Sequence, residues 1–182
     1  MRPYYTIKRF RIFNAPVSVH WSALLVIGII LVTGYKEPIH AVIAAASYFS
    51  ILLIHEIGHG FVANKLGYKV FETKIAFFHG MCIFKEPYNE EHHIKIAWAG
   101  SLAQIFVAIP LIVLSQFKVV SDISYLGPVY AFLGYLSVLV ALVNLAPSQG
   151  LDGHIAWRII PLTYRKWRNK PKKKKKKFNV VK

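Results

Sequence analysis

Two histidines and a glutamate stand together in His55-Glu56-Ile57-Gly58-His59, inside an apolar stretch. Residues four apart lie about 1.1 helical turns from one another, so both imidazoles project from one face of a helix with the glutamate one step around. That arrangement is a two-point clamp for zinc with a proton acceptor beside it. With eight His and six Glu in 182 residues, a chance H-E-x-x-H is roughly a one per cent event. Catalytic zinc takes three protein ligands and leaves a fourth position open, so His55 and His59 need a partner from elsewhere in the chain. Glu56 cannot readily share the ion with its neighbours. It can take a proton from an attacking water and pass it to a leaving amine, which is the work of a peptidase.

The elements that must position these groups follow from composition. A hydrophobic content of 55% beside a formal net charge of +15 fits no soluble globule, so the two characters must be segregated along the chain. Four apolar stretches do this, at about 17–35, 39–66, 94–117 and 125–146, each near the roughly 20 residues that cross a bilayer. The expectation is an all-α, multi-pass membrane protein with four transmembrane helices. The first stretch is full length and ends at Thr33-Gly34-Tyr35-Lys36-Glu37-Pro38 without an A-x-A-like site, so no cleaved signal peptide is expected. Cys82, alone in the sequence, can form no internal disulfide.

Basic residues sort by segment. Arg2, Lys8, Arg9 and Arg11 precede the first stretch; Lys65, Lys69, Lys74 and Lys85 follow the second; twelve more lie after Asp152; only Lys36 and Lys118 fall in the other connections. The positive-inside rule then places both termini and the loop between the second and third stretches in the cytoplasm, in a prokaryotic cytoplasmic membrane, as an even number of crossings requires. His55 lies about 21 Å along the second helix from Ala41, past the middle of a roughly 30 Å hydrocarbon core. The fourth helix also runs inward and delivers residues 144–152 to the same side. Of the two aspartates, Asp122 is expected on the far side, whereas Asp152 sits at the right depth to complete the clamp.

Between the second and third helices, residues 67–85 are rich in Tyr, Val, Phe and Ile and are broken by His79-Gly80, which reads as two short strands and a turn. After Gly153, the recurrence of Ile155, Ala156, Ile159 and Ile160 around Arg158 predicts an interfacial helix ended by Pro161. The chain thus divides into a basic cytoplasmic segment 1–16, a membrane-embedded domain 17–160 with its core at 39–160, and a basic tail 161–182. The run Lys172 to Lys177 is a solvated tail that reinforces orientation and could meet anionic lipid. It has no aromatic interleaving, so no nucleic-acid partner is expected. His20, His40, His79, His92 and His93 show no ligand spacing and are read as structural or solvent-facing.

With both motifs in hand, the chain resembles the site-2 protease family of intramembrane zinc metalloproteases. His55-Glu56-Ile57-Gly58-His59 matches the family's H-E-x-x-H, and Leu151-Asp152-Gly153, preceded by Asn144 and Pro147, matches its N-x-x-P...L-D-G. The resemblance covers the three-helix core, roughly 39–160. It implies one Zn2+ held by His55, His59 and Asp152, with Glu56 as catalytic base and Asn144 holding the substrate or polarising its carbonyl. Where the family's third core helix often carries a G-P-x-x-N-like element, this chain has Gly100-Ser101-Leu102-Ala103-Gln104, which makes Gln104 a weaker candidate for the same support. Gly100 reads equally well as a small residue for close helix packing.

The expected activity is hydrolysis of a peptide bond in or beside a transmembrane segment of a partner protein, for release of a regulator or clearance of signal-peptide remnants. A substrate helix hides its own backbone, so it must be drawn out, and an exposed strand edge near 68–84 offers replacement partners. The rival reading is a transition-metal transporter or sensor that uses the same His and Asp ligands without hydrolysis.

Overall fold

The computed structural model describes residues 3–77 and 79–169. Lys172 to Lys177 and Arg2 therefore lie outside the described residues. The order of elements is β1 (Tyr4–Ile12), β2 (Ala15–His20), α1 (Trp21–Thr33), α2 (Pro38–Lys65), β3 (Val70–Ile75), β4 (Gly80–Phe84), α3 (Glu90–Ser115), α4 (Gly127–Asn144), α5 (Gly153–Ala156) and α6 (Ile159–Arg168).

Helices α2, α3 and α4 are long and apolar enough to cross a membrane. Each has an identifiable start. Pro38 opens α2, where its missing N–H costs no hydrogen bond, and the Asn89 side chain accepts the Glu91 N–H at 2.9 Å to open α3. Helix α4 includes a π-helical segment, Tyr130–Leu136, that widens the turn at buried Tyr130. Helices α2 and α3 come close at Gly58, where an added Cβ would stand 2.4 Å from the Ala99 carbonyl oxygen.

The expected first span, 17–35, is not one helix. Its first residues form β2, and α1 has 13 residues, about 20 Å at 1.5 Å per residue, against a roughly 30 Å hydrocarbon core. Val17, Val19 and Ala23 are buried against Tyr48, Leu52 and Ile75, so the apolar character of this stretch serves a sheet interior as much as a helix. Among the described residues, then, three of the four expected spans are present as long apolar helices.

The hairpin expected near 67–85 is present as β3 and β4, but it is half of a four-stranded sheet in the order β1-β2-β3-β4. Strands β1 and β2 pair antiparallel through a two-residue turn in which Phe13 and Asn14 both have positive φ, 51° and 63°, the backbone twist that tight hairpins favour. Strand β2 runs parallel to β3, with Val17 opposite Thr73 and Val19 opposite Ile75. Ser18, buried between them, donates to Glu72 Oε1 at 2.6 Å. A second small core of Ala15, Ala63, Tyr68, Val70 and Ile96 seats the sheet on the ends of α2 and α3.

The interfacial helix also departs from expectation. The chain makes one turn at α5, bends at Trp157 and Arg158, and starts α6 at Ile159, so Pro161 lies in the first turn of a helix rather than at its end. A first-turn proline forfeits only an N–H that has no intrahelical partner. The segment expected to begin the basic tail is therefore helical to Arg168. Ile160, Tyr164 and Trp167 form an exposed stripe along α6, while Arg165 reaches Glu90 at 3.3 Å and Lys166 pairs with Glu91, in the first turn of α3.

Candidate metal centre

His55 and His59 lie one turn apart on α2, and both are buried. The outer nitrogen of each ring is fixed from α3. His59 Nδ1 lies 2.7 Å from the Ile96 carbonyl oxygen, which can only accept, so that nitrogen carries the proton. His55 Nδ1 faces Gln104 Oε1 at 3.1 Å, while the amide nitrogen of Gln104 donates to the Ile51 carbonyl at 3.3 Å and so turns the oxygen toward the ring. In neutral imidazoles both Nε2 atoms are thereby left as bare lone pairs.

These two lone pairs converge with a carboxylate oxygen. His55 Nε2 and His59 Nε2 are 3.0 Å apart, and Asp152 Oδ2 lies 3.0 Å from the first and 3.1 Å from the second. Three acceptors at such separations repel one another unless a cation or protons lie between them. Four ligands at 2.0–2.1 Å from a tetrahedral zinc stand about 3.3 Å apart, so this triangle fits the ion with a slight opening, and two imidazoles with one carboxylate are a donor set zinc accepts. Burial works against ionising the Asp152 carboxyl, but the two adjacent imidazoles outweigh it and hold the group well below the usual carboxylate range.

Glu56 points into the same space. It is 2% exposed, and its Oε2 has no hydrogen-bond partner among the described residues. A buried carboxylate oxygen left open costs stability unless something is to bind there. Its other side rests on β4, where a Cβ at Gly80 would stand 2.3 Å from Glu56 Oε1; the carboxylate takes the room a side chain would need.

The three ligand atoms and Glu56 open into a cavity of about 270 Å³. Asn144, half-buried at the end of α4, is on its wall together with Val140. The far wall is β4, through Gly80, Met81, Cys82 and Phe84. The structure thus brings together all six candidates, with Gln104 behind His55 rather than at the open side where a substrate would lie. Asp122 is exposed and takes no part in the triad.

The sequence reads His79 and His93 as structural or solvent-facing and Gly100 equally well as a packing residue, yet all three border the site. His79 and His93 line the cavity, and Gly100 lies under the histidine pair, where an added Cβ would stand 2.4 Å from His59 Nε2 and 2.7 Å from His55 Cε1. One signal could have found two of them: His93, Ala97, Gly100 and Gln104 recur at steps of four, three and four residues, a small and polar stripe on an otherwise apolar helix.

No family profile matches the chain. A zinc metalloprotease of Methanocaldococcus jannaschii is 26% identical over 150 residues, which covers 82% of this chain and 43% of that protein. The chain therefore spans less than half the length of the curated relative it matches. Among solved structures, the site-2 protease from Methanocaldococcus jannaschii aligns with a TM-score of 0.65 and 25% identity, over 87% of this chain and 73% of that one. The sequence match and the shared fold agree with the resemblance to the site-2 protease family that the two motifs carry.

Proposed function

We propose that this chain is an integral-membrane zinc endopeptidase of the H-E-x-x-H type, which cuts peptide bonds in or beside transmembrane segments of partner proteins near the cytoplasmic face. One observation carries the reading: a buried carboxylate, Glu56, with an oxygen that has no hydrogen-bond partner among the described residues, beside a triangle of three converging ligand atoms. His55, His59 and Asp152 would hold the metal, which when bound supplies a Lewis acid that polarises the peptide carbonyl and acidifies water. Glu56 takes the proton of the attacking water and returns it to the leaving amine. Asn144, on the cavity wall, is placed to donate to a substrate carbonyl. Gln104 acts one step removed, by keeping the His55 tautomer that presents Nε2.

The sheet supports a way of holding the substrate. Strand β4 ends the order β1-β2-β3-β4, so among the described residues one of its edges has no strand partner, and its residues line the cavity. An extended segment added there would regain the backbone hydrogen bonds lost when a substrate helix unwinds. The distribution of Lys and Arg supports cytoplasmic termini, and the exposed Ile160, Tyr164 and Trp167 beside Arg165 and Lys166 support an α6 that lies in the headgroup region of the bilayer. A metal transporter or sensor has no need of a proton acceptor beside its ligands, and Glu56 counts against it.

The test is reconstitution in liposomes with single-span substrates, comparing wild type and Glu56→Gln by mass spectrometry of the products and by zinc analysis. The peptidase reading expects wild-type cleavage at discrete bonds, and a variant that keeps its zinc but does not cut. A Glu56→Gln protein that cuts at the wild-type rate would overturn it.

A further inference from the structure

Of the three ligands, two stand on a long helix and the third does not. Asp152 ends the irregular connection that starts at Leu145, and the single turn α5 follows it. A one-turn helix has too little internal hydrogen bonding to hold a ligand in place, and the Asp152 side chain is 25% exposed. Something outside the loop must fix it.

The hydrogen bonds lead to α3. The Asp152 carbonyl accepts the N–H of Ile155 at 3.0 Å and of Ala156 at 2.8 Å, so the backbone of Asp152 goes where Ala156 goes. The carbonyl of Ala156, a fully buried residue, accepts the indole N–H of Trp98 at 3.0 Å. Across the base of the loop, the Trp157 indole donates to the Leu145 carbonyl at 2.6 Å, and the two indoles meet edge to face with centroids 5.4 Å apart. The backbone between is packed close, since a Cβ at Gly153 would stand 2.3 Å from both the Leu145 and the Ala146 carbonyl oxygens.

We propose that Trp98 is a positioning residue that sets Asp152 in the metal triangle through the Ala156 carbonyl. Helix α3 supplies no ligand, yet it fixes each one: Gln104 for His55, the Ile96 carbonyl for His59 and Trp98 for the turn that bears Asp152. The three contacts leave one rigid element, so the relative placement of the ligands is set by a single body rather than by the fit of α2 to a loop. Groups that orient metal ligands typically carry 10–100-fold in metal affinity when removed, and Trp98 does this work from the far end of α5. The proposal rests on the metal reading of His55, His59 and Asp152.

The test uses the full chain in detergent. Zinc affinity is measured by competition with a chromogenic chelator, and ligand geometry by the visible absorption of the Co2+ form. Two changes are made at position 98: Trp98→Phe, and replacement of the indole by a benzothiophene, which keeps the ring shape and cannot donate. Asp152→Ala marks full loss of the third ligand. Both changes at 98 are expected to weaken zinc by about tenfold or more and to shift the Co2+ bands toward those of Asp152→Ala. A benzothiophene protein within twofold of wild type, with an unchanged Co2+ spectrum, overturns the proposal whatever Trp98→Phe does, because packing alone would then hold the turn. A wild type that takes up no zinc overturns the metal reading itself.

Discussion

Gly100 and His59 cannot be considered apart: the space that a methyl group would fill at position 100 is 2.4 Å from His59 Nε2, so the absence of a side chain on α3 is what admits the histidine pair on α2. The atom in the way is a ring nitrogen whose opposite side is held by the Ile96 carbonyl, which leaves the imidazole no free direction in which to yield. Gly100→Ala is therefore expected to displace the ligands while α2 and α3 stay packed. Zinc content per chain after metal refilling should fall at least tenfold, with helix content by circular dichroism unchanged. Full zinc occupancy in that variant would refute the assignment.

Gln104 makes a second, subtler prediction. It is wholly buried and bonds both His55 and the Ile51 carbonyl. Gln104→Leu leaves the ring free to adopt the tautomer that puts its proton on Nε2, where it blocks metal binding. A loss of about 10–100-fold in zinc affinity is expected, recovered in part by Gln104→Glu, which restores an acceptor. An unchanged dissociation constant in the Leu variant would return Gln104 to a purely packing role.

How legible was this in the chain itself? His55, Glu56 and His59 were, because helical periodicity turns a five-residue spacing into a shared face without tertiary knowledge. Asp152 was legible through charge segregation, which put residues 144–152 at the depth of the histidines. Strand β2 was not: Val17 and Val19 are as apolar as any helix interior, and their parallel pairing with Thr73 and Ile75, more than fifty residues away, is not written in the local sequence. Pro161 misled for a different reason, since a proline reads as a stop unless the chain has already broken just before it. The role of Gly80 is defined by what lies opposite it, and no sequence pattern records that missing Cβ, whereas Gly100 at least shares the stripe of His93, Ala97 and Gln104.

On the proposed roles, Gly80 is where the base can be told apart from the metal ligands. Its missing side chain seats Glu56, whereas the atoms nearest to Gly100 belong to the ligands. Gly80→Ala should then push the Glu56 carboxylate aside and leave zinc in place. The expected result is a fall in kcat on the order of 10²-fold or more, as for loss of a general base, with zinc stoichiometry retained. Loss of zinc and activity together would mean that β4 supports the ligands as well.

Cys82 offers a check on how closed the cavity wall is. Burial, reinforced by the charge of Glu56, pushes its thiol up to about 12, against a smaller opposing effect from Thr73. Only the thiolate is alkylated. With the pKa raised, the thiolate fraction grows tenfold for each pH unit up to about 12, so the rate of labelling by iodoacetamide should climb steadily from pH 7 to pH 10. An accessible cysteine, with a pKa near 8.5, would level off above about pH 9. A plateau in the labelling profile would show that β4 leaves the sulfur open to solvent.

The free edge of β4 makes a prediction about substrates. If an extended substrate adds along β4, as proposed, the target segment must leave its helix before it is cut, so helix stability near the scissile bond should oppose cutting. Replacing one Gly by Leu within an exposed helix interior stabilises it by up to about 1 kcal/mol, and replacing a Pro by about 3 kcal/mol. If unwinding precedes the rate-limiting step, those changes slow cleavage by up to about fivefold and about a hundredfold. A substrate panel in which Gly→Leu and Pro→Leu leave the rate untouched would remove strand addition from the mechanism and leave the zinc chemistry standing.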